Sequence, residues 1–66
     1  MDYTNSLMRA LILEHIHSSR DRDILQRRLI DGITYEALAE EFDLSVRQVK
    51  NIVYKSETIL FKHIPG

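Results

Sequence analysis

Cysteine and tryptophan are absent from this 66-residue chain, and proline occurs only at Pro65. Without cysteine there is no disulfide staple and no thiolate metal site, a composition that suits a reducing cytosol. Glycine is limited to Gly32 and Gly66, so almost nothing in the chain forces a helix to stop. No apolar run approaches the roughly 18 residues of a membrane span. No basic region followed by a long apolar block marks a signal peptide at the N-terminus. A cytoplasmic protein with no membrane partner is expected.

The usual signatures of catalysis and metal binding are also missing. His15 and His17 are two residues apart and diverge on a helix, while His63 stands alone. No His-Glu-x-x-His pattern is present, so no metal site is expected. Glu36, Glu40 and Glu41 resemble paired carboxylates, but they fall on a short solvent-facing helix, with no evident pocket in so small a chain to shift their pKa values. There is no Gly-rich phosphate loop and no nucleophile elbow. The expectation is a non-enzyme without a cofactor.

What the chain does contain is helical patterning. At 44% hydrophobic and 29% charged residues, it has the means for one domain around one small core. Strand-like alternation is lacking, and apolar residues recur at helical spacing. A first helix is predicted over about 5–17, capped by Thr4, Asn5 or Ser6, with Leu7, Met8, Leu11, Ile12 and Ile16 on a broad apolar face and Leu13 outside it. Ser18 or Ser19 caps a second helix over about 20–31, with Ile24, Leu25 and Leu29 inward and Gly32 closing it in a left-handed conformation. Thr34 caps a short third helix ending near Phe42, and Glu36 suits its positive N-terminal end. Asp43-Leu44-Ser45 forms a turn, Ser45 and Gln48 read as a capping box, and a fourth helix runs over about 46–63. The expected architecture is all-α, a small four-helix domain containing a helix-turn-helix.

That last feature rests on 34–53. Leu38, Phe42, Leu44, Val49 and Ile52 sit where a helix-turn-helix buries side chains, and small Ala39 lies where its helices cross. An ordinary αα-hairpin would share these apolar positions; their spacing across the turn favours the helix-turn-helix. Rotation of about 100° per residue places Val49, Ile52, Val53, Ser56 and Leu60 on one side of the fourth helix. Arg47, Asn51, Tyr54 and Thr58 fall opposite, flanked by Lys50 and Lys55.

Charge follows the same division. The chain carries a net charge of −1, with four Lys/Arg against one acid from 45 onward (+3) and five against nine before it (−4). The positive excess therefore collects on the fourth helix and beyond. Arg and Lys donate to guanine, and Asn and Gln pair with adenine. Arg47, Gln48, Lys50, Asn51, Tyr54, Lys55 and Ser45 are accordingly candidate DNA contacts, with Thr34 and Tyr35 candidates for phosphate. A solvated helix face is the plain alternative for all of them.

The segment Asp23-Ile24-Leu25-Gln26-Arg27-Arg28-Leu29-Ile30-Asp31-Gly32-Ile33-Thr34-Tyr35-Glu36-Ala37-Leu38-Ala39, followed by Ser45-Val46-Arg47-Gln48-Val49-Lys50, resembles region four of bacterial sigma factors. The likeness spans about 19–62, with 1–18 left as an added N-terminal helix. LuxR-type output domains share much of the pattern. In the turn, Asp43 stands where a glycine is common; aspartate tolerates positive φ better than most residues. The resemblance implies a helix-turn-helix that reads double-stranded DNA in the major groove. The chain has no room for a full sigma factor's other regions, so an isolated region-four-like regulator is implied, such as a phage or mobile element would carry. A protein-interaction module of the same fold, binding RNA polymerase or another regulator, is the alternative. Leu13, Ile59, Phe61 and Ile64 exceed what a monomeric core needs and point to a homodimer built from the first helix and the end of the fourth.

Overall fold

The computed structural model describes residues 5–63. It comprises four helices in chain order: α1 (Asn5–His15), α2 (Ser19–Leu29), α3 (Tyr35–Glu41) and α4 (Val46–Phe61). No strand occurs among the described residues. The expected Thr4 cap and the Ile64 contact lie outside them.

Each helix after the first begins at a side-chain cap that the sequence places there. The Ser18 hydroxyl accepts from the Asp21 N–H at 3.3 Å, and the Thr34 hydroxyl accepts from the Ala37 N–H at 3.1 Å. Ser45 and Gln48 form the reciprocal capping box: Ser45 Oγ accepts from the Gln48 N–H at 3.0 Å, and Gln48 Oε1 accepts from the Ser45 N–H at 2.8 Å. These bonds satisfy backbone donors that helix geometry leaves unpaired.

The helix ends differ from expectation by a residue or two, for identifiable reasons. α1 stops at His15 because Arg22 of α2 donates to the Ile16 carbonyl through Nε and to the Leu13 carbonyl through Nη2, at 2.9 Å for the latter. This guanidinium binds carbonyls that a longer α1 would have needed for itself, and it fixes the corner between α1 and α2. α2 stops at Leu29 because the Asp31 N–H reaches back five residues to Gln26 and the Ile33 N–H reaches six to Arg27, a widening that Gly32 permits at φ 71°. α3 closes with the Leu44 N–H on the Ala39 carbonyl at 2.8 Å and the Asp43 N–H on Glu40 at 3.4 Å. Asp43 sits at φ 55° within this Schellman-type closure, as the sequence led us to expect. α4 ends at Phe61, short of His63, and the His63 N–H bonds back to Leu60 at 2.9 Å.

One core joins all four helices. Ile12, Ile24, Leu25, Leu38, Val49, Val53 and Leu60 are fully buried, and Leu11, Ile16 and Ala39 nearly so. Each fully buried aliphatic side chain contributes on the order of 1.5–3 kcal/mol relative to exposure. Leu29, Phe42, Leu44 and Ile52 are half-buried against this core rather than inside it. α4 packs on each of the other three helices, while α1 and α3 do not meet. Ala39, the small residue expected at a crossing, is buried on α3, the helix that packs on both α2 and α4. None of the helices is long and apolar enough to cross a membrane.

Candidate functional site

Because α4 lays Val49, Val53, Ser56 and Leu60 into the core, its opposite side is committed to solvent. Arg47, Lys50, Asn51, Tyr54, Lys55 and Thr58 are all exposed, Tyr54 to 55%. The face is polar from Arg47 to Thr58 apart from the Tyr54 ring and ends in exposed Phe61, with Lys50 on the flank nearer α3 and Lys55 on the other. Of the residues singled out from sequence, Arg47, Asn51 and Tyr54 share the middle of the face. The capping box positions its first turn.

On the α3 flank the structure assembles a group that spans three helices. The Arg28 guanidinium lies 4.2 Å from the centroid of the Tyr35 ring, and Lys50 Nζ lies 5.7 Å from the same centroid. Tyr54 meets Tyr35 edge to face, with centroids 6.5 Å apart and an interplanar angle of 79°. Arg28 is held further by donating to the Ile33 carbonyl at 3.1 Å. The negative face of an aromatic ring attracts cations and so orients both charges toward one place.

The remaining charges sharpen the contrast. Arg27 pairs with Glu41 at 2.9 Å and Arg20 with Asp21 at 3.3 Å. Arg28, Arg47, Lys50 and Lys55 form no ion pair among the described residues. The carboxylates of the acidic first part of the chain therefore leave the cations of α4 unneutralised. Thr34, Ser45 and Gln48 contribute differently from Arg47 or Asn51. The two hydroxyls accept capping bonds yet retain a proton to donate, and Gln48 has its amide oxygen in the box while its NH₂ stays free.

No known protein family, curated protein or solved structure matches the chain.

Sequence reasoning missed Arg28. It sits on α2, seven residues before Tyr35 and twenty-two before Lys50, so no local pattern joins the three. The signal available was negative: Arg27 and Arg28 are adjacent on a helix, and only one of them can face Glu41. At the far end of α4, His63 stacks on His15 of α1 with centroids 3.7 Å apart and planes 6° from parallel, a pairing that the sequence did not suggest either. Among the described residues no group of three or more His, Cys, Asp or Glu is placed to hold a metal ion.

Proposed function

We propose that this chain is a non-enzymatic, double-stranded-DNA-binding transcriptional regulator of helix-turn-helix type, with α3 as the supporting helix and α4 as the recognition helix. The observation that carries the reading is the convergence of Arg28 and Lys50 on Tyr35, beside an α4 face whose cations have no carboxylate partners. Two cations beside one ring raise the local positive potential, which favours an external phosphate there. An α-helix about 10–12 Å across fits a major groove about 12 Å wide. In that position Arg47, Asn51 and Tyr54 face base edges, while Lys50, Tyr35, Arg28 and Thr34 meet one strand's phosphates. Lys55 and Ser45 serve as additional backbone contacts. Gln48 holds the first turn in shape and has only its NH₂ to offer a base.

Exposed Leu13 (54%) and Phe61 (59%) support a homodimer, which would read two half-sites about one DNA turn apart. The other reading, a module that binds RNA polymerase or another regulator, is favoured by the same two apolar side chains and by the net charge of −1.

The test is fluorescence anisotropy on DNA selected from a random pool, at several salt concentrations. Arg47→Ala is expected to cost about 1–3 kcal/mol and to relax sequence preference. Lys50→Ala is expected to weaken binding to all sequences and to flatten the salt slope by about one unit. Unchanged affinity in both variants, with helical circular dichroism intact, would remove the recognition-helix assignment and leave the protein-interaction reading.

A further inference from the structure

A cleft of about 520 Å³ lies between the α1–α2 corner and α4, on the flank away from Tyr35. Ile16, Leu44, Ile52 and Ile59 supply its apolar lining. The size falls within the range of about 300–1,000 Å³ typical of small-molecule sites.

Two otherwise unexplained side chains face this cleft. Ile59 is 40% exposed, and of the exposed apolar side chains on α4 it is the one that lines this cleft. Lys55 is a cation with no ion pair among the described residues. The other polar groups on the α4 side are the buried Ser56 hydroxyl and two amides. Gln48 has its oxygen engaged in the capping box, so it presents N–H donors, and Asn51 supplies another NH₂. The single carboxylate in the lining, Asp21, is met by Arg20 at 3.3 Å. An aliphatic interior beside a cation and amide donors matches an anion with a hydrocarbon body, and it disfavours a cation or a fully polar ligand.

We propose that the cleft binds a small aliphatic carboxylate, its chain against Ile52 and Ile59 and its carboxylate on Lys55, with the Gln48 and Asn51 amides donating. A carboxylate–ammonium contact with added amide bonds is a charge-assisted set, stronger than neutral hydrogen bonds. This site does not depend on the DNA reading. One consequence does rest on that reading: Asn51 and Lys55 serve both ligands, so a carboxylate in the cleft opposes DNA on α4.

The experiment is a two-dimensional amide NMR titration of the full chain with sodium octanoate, alongside octylamine and octanol at equal concentrations. Octanoate is expected to give saturable shifts centred on Ile16, Ile52, Lys55 and Ile59, with octylamine giving none and octanol binding at least about tenfold more weakly. Lys55→Glu and Ile59→Asp, both at exposed positions, are each expected to weaken octanoate at least about tenfold while leaving the rest of the spectrum in place. The absence of a saturable shift, equal binding of octylamine, or undiminished binding by both variants overturns the proposal. In a second arm, saturating octanoate is expected to lower DNA affinity, and unchanged affinity overturns the competition. A chain that binds octanoate but no DNA refutes only the DNA reading.

Discussion

Asp43 and Ala39 show how much a single position decides in a core this small. Asp43 holds φ 55°, where a Cβ is disfavoured and glycine is not. Asp43→Gly is expected to be neutral or to stabilise by up to about 1 kcal/mol, a balance between relieved strain and a more flexible unfolded chain. Urea denaturation with the slope held common to both proteins would measure it. Ala39 is 6% exposed on α3, the helix that packs on α4. Ala39→Leu adds three carbons where the two helices meet and is expected to cost at least about 1–3 kcal/mol. A thermal melt coincident with the parent's would show that Ala39 does not set the spacing of α3 and α4.

At the scale of elements, the capping box merits its own test because it fixes the first turn of α4. Ser45→Ala removes the acceptor for the Gln48 N–H and is expected to cost about 0.5–2 kcal/mol of stability, read as a lower melting temperature. Ser45→Asp is expected to recover most of that loss, since aspartate caps as well as serine. The box was legible in the sequence, as were the Thr34 cap, the left-handed Gly32 and the positive φ at Asp43. All of these are caps and turns whose backbone bonds reach back at most six residues, so their chemistry is written in nearly consecutive letters. Arg22 and Arg28 were not legible. Arg22 ends α1 early by taking carbonyls six and nine residues back, and Arg28 meets Tyr35 and Lys50 only after α2, α3 and α4 have packed. A sequence pattern shows that a cation lies on a helix; the packing of other helices determines which of several cations finds a ring.

The whole molecule measures 33 × 19 × 17 Å over the described residues, small enough that each surface counts. The long axis exceeds the roughly 24 Å of a sixteen-residue helix, so α4 can present its full face to a groove. α1 packs on α4, and His15 stacks on His63 just past the end of that helix, yet Leu13, Ile59 and Phe61 remain exposed. Ile59 and Phe61 also diverge, since two residues rotate a helix by about 200°. One flat partner surface cannot take both, and the proposed dimer is expected to use Phe61, since Ile59 lines the cleft. Sedimentation equilibrium at tens of micromolar is expected to give a dimer mass for the parent and a monomer mass for Phe61→Ser. A parent monomer, with Phe61→Ser binding DNA as well as the parent, would rule out the dimer.

The meeting of α1 with α4 has a kinetic meaning as well. Contacts of α1 with α2, of α2 with α3 and of α3 with α4 join neighbours along the chain and cost little to bring together, whereas the His15–His63 stack closes the whole stretch between those two residues into a loop. The entropy of closing a loop grows logarithmically with its length and amounts here to roughly 3 kcal/mol. The α1–α4 contact is therefore expected to form late and to release early. One wall of the carboxylate cleft is the end of α1 and the corner after it, so that cleft exists only while the loop is closed. The carboxylate proposed for the cleft is therefore expected to act as a latch on that contact, converting binding energy into the persistence of the fully docked state.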